Sequence, residues 1–545
     1  MEEAYEYGGW VIGGLGIYMI ILLVVGWWAS KRVSDEADFL VAGRRLGVPL
    51  MIGALVATWY GAGTTMGAAG ASYLFGTQGV VFDPYGAALC LVLLGLFFAR
   101  VVRRSKFMTL VDFFNSRYDN KVAGLSAFVM LIAEMGWIGA LLVGFGAVIN
   151  FFTGVPLGMG IGVSTLVLII YTYLGGMYAI TLTDTVQMTV ITVSMVAILI
   201  VVMSLPEVGG WEYIFTNSAT HNWIGTNQWD FFPTSAATAD PEFENAGFVY
   251  YTGHMGWFYW LSAIMAVGVG SIAAQDVNQR LMSARSENVS VVSAVMSGAI
   301  YLVMGMIPVV LGMAAFTLYP DMEFDAVQNQ LLLVMAADYL PVILVIIFVC
   351  GLVAALMSSA AAATLAGASI VGYNGGKMLN PEISDAASLR WTRIFVPVVA
   401  CISLLIALKF ETIYNLMVAA WTLLLVSNFV PYAAGFFWKR ANSYGALSSM
   451  IGGFVGWMAG YLYYLPITSE ANTDIVPGVE GVYQDWANWD AIYIGSVWGV
   501  IASVSLMVVV SLATQKAAPP KPVVDADGNP LDMDGWFGLV PSANT

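Results

Sequence analysis

Charge is scarce in this chain: only 10% of its 545 residues are Asp, Glu, Lys or Arg, where soluble proteins carry about a quarter. With 59% hydrophobic residues and a mean hydropathy of +0.79, the apolar surface is too large for a soluble core, and the soluble classes fall away first. Histidine is nearly missing, since His221 and His254 are the whole supply, and a His-rich catalytic centre or metal cluster has no basis. The three cysteines, Cys90, Cys350 and Cys401, stand in apolar stretches without CxxC spacing. Neither a disulfide framework nor structural zinc follows. Clustered Cys or paired carboxylates on one face are lacking as well, so no enzyme is expected.

What the chain has in quantity is apolar runs of about 20 residues, the length that crosses ~30 Å of hydrocarbon. The sequence predicts an all-α polytopic membrane protein with thirteen spans, near 9–29, 48–74, 79–101, 122–152, 156–174, 180–205, 257–281, 289–318, 339–371, 389–408, 413–438, 444–465 and 491–513. If the N-terminus is outside, every Lys and Arg except Lys409 falls in a cytoplasmic loop, as the positive-inside bias requires. Adding or removing one central span would destroy that agreement. The acidic start, Met1 to Glu6, has no basic n-region, so the first span is read as an uncleaved helix. The loop at 206–256 holds Trp211, Trp223 and Trp229 and acidic residues but no Lys or Arg. It is expected to cap the outer face. The Pro-rich tail, 514–545, is expected in the cytoplasm with no fused soluble domain.

Two spans carry polar, Gly-rich interruptions at mid-membrane, where unpaired backbone is tolerated only if it lines a site. One runs from Ala57 through Thr58, Trp59, Tyr60, Gly61 and Thr64 to Gly67; the other runs from Gly268 to Asp276. They lie five spans apart, an odd number, so two five-helix units opened by them have opposite orientations. Such an inverted repeat is the signature of a secondary transporter whose substrate and coupling ion sit between broken helices, although small residues also serve ordinary helix packing. The ninth span adds Ser358 and Ser359, whose hydroxyls beside free carbonyls can replace the water shell of a small hard cation. The same serines can instead bond back to their own helix.

With these residues in place, four motifs in order resemble the sodium/solute symporter family: Ala37 to Gly47, Gly175 to Gln187, Gln275-Asp276 with Gln279-Arg280, and the Ala-Leu-Met-Ser-Ser run. Ala57-Thr58-Trp59, Glu134 to Trp137 and Asn442 to Ala446 look most like its high-affinity choline transporter branch. The resemblance implies a LeuT-type five-plus-five fold with one leading helix (9–29), repeats at 48–205 and 257–438, and two trailing helices (444–513). It also implies a sodium site made of the carbonyls of Ala57, Tyr60 and Ala355 and the hydroxyls of Ser358 and Ser359. Asp184 would belong to a second sodium site or an exit relay. Ala361 stands where the choline branch has an aspartate, which leaves a single sodium per cycle as the expectation.

The expected substrate pocket comprises Trp59, Gly61, Thr64, Glu134, Trp137, Ala274 and Gln275. Aromatic faces attract a quaternary ammonium with about 0.5–2 kcal/mol each; Trp59 and Trp137 match two pocket tryptophans of the choline branch, and Ala274 replaces the third. Arg280 is expected to snorkel to the cytoplasmic surface. The expected activity is sodium-coupled import of a small polar organic solute by alternating access across the plasma membrane, with a quaternary amine such as choline one candidate. Sodium, the solute and the bilayer are the expected partners of a monomer or weak homodimer, without nucleic acid. A proton-coupled symporter of the same fold for an amino acid or organic acid is the first alternative, and a non-transporting sensor the second.

Overall fold

The structure is a computed structural model that describes residues 6–31, 35–216, 227–233, 251, 253–410, 413–473 and 482–538. Helices are the regular secondary structure of the described residues, apart from two isolated β-bridges. In chain order the principal helices are α1 (Gly8–Ser30), α2 (Val48–Trp59), α3 (Ala68–Phe75), α4 (Asn120–Thr153), α5 (Leu157–Met203), α6 (Gly253–Gly268), α7 (Gln275–Ser283), α8 (Glu287–Leu318), α9 (Val342–Ser369), α10 (Asp385–Phe410), α11 (Ile413–Leu424), α12 (Ser443–Thr473) and α13 (Val482–Ala513). Helix starts follow side-chain capping of free backbone N–H groups. Asp119 accepts from the N–H groups of Lys121 and Val122 to begin α4, and Ser286 accepts from Val289 to begin α8.

By length and composition, ten helical stretches among the described residues qualify as membrane crossings, and Val48–Trp59 is a shorter apolar helix. Two of the ten exceed one crossing: Gly63–Ser105 has 43 residues and Leu157–Met203 has 47, the latter about 70 Å if straight. Each contains a turn. Gly76 (φ 59, ψ −143) bends the first, and Gly176 (φ 63, ψ 176) the second. A β-carbon at Gly176 would stand 2.6 Å from the Phe39 ring, so both the backbone angle and the packing require glycine there.

Both expected interruptions are present. Helix α2 stops at Trp59, Tyr60 leaves helical angles (φ −70, ψ 70), and wide turns over Gly63–Gly67 lead into α3. Helix α6 stops at Gly268, a tight turn spans Gly270–Ala273, and extended Ala274 (φ −80, ψ 142) opens α7. Around them the core is built on α9, whose residues are buried without interruption from Phe348 to Ser369. Its alanine run, Ala360 to Ala363, lets neighbouring backbones approach closely, and α2, α4, α5 and α10 pack against it. Helix α1 turns Trp10, Ile17, Ile20 and Val24 outward, as a lipid-facing helix does. The described part of the acidic loop lies over the end of the α3 run: Thr77 N–H donates to Gln228 O at 2.7 Å and its hydroxyl to Asp230 O at 2.9 Å. His221 and Trp223 lie outside the described residues.

Candidate functional site

The break after Trp59 rewires three carbonyls. In an unbroken helix the Gly61 N–H would donate to Ala57 O; here it donates to Trp59 O at 2.6 Å. Ala57 O is thereby released and accepts from Ser359 Oγ at 2.9 Å, with Ser358 Oγ at 3.5 Å. Ala355, Ser358 and Ser359 share one face of α9 by their three- and four-residue spacing, and all three are fully buried. Gly61 permits the approach of the two elements: a β-carbon there would stand 2.7 Å from Leu141 and 2.9 Å from Ser359 Oγ. Of the sequence-derived cation residues, Ala57, Ser358 and Ser359 thus meet in space.

Asp184 joins the same cluster. One of its oxygens accepts a short hydrogen bond from Ser358 Oγ, and the other pairs with Arg280 at 3.1 Å. Both charged side chains are 0% exposed, which corrects the expectation that Arg280 snorkels to the surface. Helix α7 is buried at every position, so its guanidinium meets a carboxylate before it can reach water.

A few residues away, Trp59, Trp137 and Trp421 form a buried aromatic group. The Trp421 ring centroid is 5.8 Å from Trp59 and 5.9 Å from Trp137, and none of the three is more than 3% exposed. Trp421, from α11, occupies the third aromatic place whose loss the Ala274 position implied. It stands eight residues into its span, about 12 Å deep, with only Thr422 as a polar neighbour. Two carboxylates adjoin the rings. Trp59 Nε1 donates to Asp276 Oδ2 at 3.1 Å, and the Asp276 N–H donates to Glu134 Oε1 at 3.1 Å. Glu134 Oε2 and Trp137 Nε1 are buried with no hydrogen-bond partner.

The remaining expected pocket residues divide. Ala274 O accepts from Asn278 Nδ2 at 2.7 Å, and Gln275 Oε1 accepts from Leu110 N–H at 2.8 Å, so both stabilise the second break. Thr64 turns toward Asp83 and donates to its Oδ2 at 2.7 Å. Asp83 is a buried acid that the sequence analysis passed over, although a lone carboxylate in an apolar span is itself a functional signal.

Two interrupted helices, a buried oxygen cluster between the first of them and α9, and an adjoining group of tryptophans and carboxylates are the arrangement expected of a membrane symporter of the LeuT type. The sequence model of the Sodium:solute symporter family matches residues 39–453, and the chain belongs to that family. Among its relatives is the human high affinity choline transporter 1, 27% identical over 477 residues that cover 83% of this chain and 77% of the relative. The osmoregulated proline transporter of Bacillus subtilis is 26% identical over 459 residues, 81% of this chain and 87% of the relative. Among solved structures, a Na+-coupled sialic acid symporter in a substrate-bound outward-open state superposes with a TM-score of 0.69 at 19% identity, covering 91% of this chain and 97% of that one. That likeness establishes the fold.

Proposed function

We propose that the chain carries one sodium ion inward together with a small organic cation of the quaternary ammonium class, choline or a close analogue. The observation that carries this reading is the pocket itself: three tryptophan rings beside Glu134 and Asp276, while the one nearby base, Arg280, is already paired with Asp184. Ring faces and unmatched carboxylates favour a cationic guest. The choline transporters among the relatives support the same class. Sodium is held by the carbonyls of Ala57, Tyr60 and Ala355 and the hydroxyls of Ser358 and Ser359; Asp184 adds negative potential through Ser358 and, being matched by Arg280, positions that serine. The protein works in the plasma membrane with its N-terminus outside, as the basic loops favour.

Sodium closes the α2 break against α9 and so completes the pocket, which by linkage means solute and sodium tighten each other's binding by one factor. At about −100 mV a monovalent cation gains about 2.3 kcal/mol on entry, and a tenfold gradient adds about 1.4. A cationic solute gains the electrical part a second time. Uptake into proteoliposomes under separately imposed sodium and pH gradients tests the ion: accumulation that follows pH and ignores sodium assigns coupling to protons. Thermal-shift measurements with choline, proline and organic acids test the solute. Choline is expected to stabilise in sodium buffer and not in potassium buffer; stabilisation by the zwitterion or acids alone would refute the cation class. Replacing Ser359 by Ala removes a ligand to a charged ion, so the sodium concentration for half-maximal uptake is expected to rise about tenfold or more.

A further inference from the structure

Asp83 has no part in the sodium and solute sites above, yet it is a fully buried carboxylate near the first break. It sits with extended backbone (φ −151, ψ 123) inside the helical Val81–Gly86 segment and is 1% exposed. Thr64 Oγ1 lies 2.7 Å from its Oδ2, and Tyr301 Oη 3.0 Å from its Oδ1. Thr64 Oγ1 also lies 3.1 Å from Trp59 O and touches Tyr301 Oη. Tyr301 Oη is also 3.3 Å from Asp83 Oδ2, so five oxygens make five close contacts, but the two hydroxyls bring one hydrogen each. Oxygen pairs left without a hydrogen between them repel, and a buried carboxylate needs a counter-charge.

No basic side chain supplies that charge: among the described residues no ion pair involves Asp83. The titratable groups that face it are tyrosines, Tyr60 and Tyr301 from the first break and α8 and Tyr414 from α11. A cavity reaches its chain neighbour, Phe82. It has a volume of about 100 Å³ and lies at the end of the molecule where α3 finishes and α11 begins, lined by Gly67, Gln78, Phe82, Tyr414, Asp490 and Tyr493. The Tyr414 hydroxyl closes over the floor by donating to Gly79 O at 3.0 Å.

We propose that Asp83, Thr64, Tyr301 and the Trp59 carbonyl form a second monovalent-cation site, filled by sodium or a proton through the Phe82–Tyr414 cavity. Hard oxygen donors and one negative charge suit either ion. Because the Trp59 carbonyl closes the site while the Trp59 ring lines the pocket, filling it fixes the angle of the break and prepares the tryptophans for solute. The full cycle then moves one more positive charge than the single sodium accounts for.

Equilibrium binding of radioactive sodium to the purified full chain, with infrared spectra of the carboxylic-acid C=O stretch, tests the proposal on wild type, Asp83→Asn and Ser359→Ala. If sodium fills the site, wild type binds two ions per chain and each variant one. If a proton fills it, wild type and Asp83→Asn bind the same number of sodium ions, and a carboxyl band that fades in wild type as pH is raised is missing from Asp83→Asn. A sodium count unchanged by Asp83→Asn together with no pH-sensitive band assigned to it overturns the proposal. Should Asp83→Asn fail to fold, Tyr301→Phe replaces it, with weakened sodium binding or a shifted midpoint of the same band as the expected result and neither as the refuting one. Loss of sodium in Ser359→Ala reports on the first site separately.

Discussion

Trp421 touches both of the other pocket tryptophans and is the residue through which they form a single group. Trp421→Leu keeps the volume apolar but removes a ring face worth about 0.5–2 kcal/mol to a cation. Solute affinity measured by titration calorimetry in sodium is therefore expected to fall about 2- to 30-fold, with sodium binding in the absence of solute unchanged. Equal affinity in the variant would exclude a cation held by these rings. Trp59 and Trp137 were readable in the sequence because one stands in a polar break and the other lies three residues after a buried acid. Trp421 was not, since nothing in an unbroken apolar run marks which face points inward. Arg280 shows the opposite failure. Sequence gives its depth along a helix, but only the fold reveals that every side of α7 is covered and that Asp184 lies across from it.

At the level of elements, both helix breaks were legible because glycine and polar residues at mid-membrane leave backbone groups that must be satisfied somewhere. What the pattern does not contain is their destination: the Ala57 carbonyl goes to Ser359, and the second break is tied down by Asn278 and by Gln275, which binds Leu110. The turns inside the two over-long runs were equally hidden, because a single glycine of positive φ looks like any other glycine in a Gly-rich chain. Gly61→Ala tests the contact of the first break with α9. The added methyl would meet Leu141 and Ser359 and force the elements apart, so sodium affinity is expected to fall at least as far as in Ser359→Ala, with thermal stability without sodium lowered by about 1–3 kcal/mol as for other overpacked sites. Unchanged sodium binding would show that the break and α9 need not approach so closely.

For the whole molecule, the inverted repeat could be inferred from the odd number of spans between the breaks, a property of connectivity that survives errors in individual boundaries. The tail could not. Nothing in its Pro-rich sequence marks a docking place, yet residues 523–538 fold back onto the run that ends at Ser105. Arg104 donates to the Asp532 and Asp534 carbonyls, Lys106 pairs with Asp527 at 2.7 Å, and Trp536 packs on Phe97 and Phe437. Exposed ion pairs of this kind are screened by salt, so hydrogen exchange in 523–538 is expected to speed up as ionic strength is raised while α9 is unaffected. A salt-independent tail would mean that its aromatic packing and the backbone bonds of Ala526 to Ser105 and Gly538 to Leu96 hold it. The Lys106 amine is raised above its ordinary value, chiefly by its hydrogen bond to Asp527. The pair is therefore fully formed below the unfolded lysine value and is lost as pH climbs through the raised one, which leaves it intact at neutrality.

Trp59 spends its main chain and its side chain on different neighbours: its carbonyl serves Thr64, its indole N–H serves Asp276, and its ring rests on Trp421. On the proposed assignment, selectivity for cargo and appetite for ions share one hinge residue, and a chemist wishing to re-tune what is carried without disturbing what drives it should leave position 59 alone and reshape the far wall, at 137 or 421.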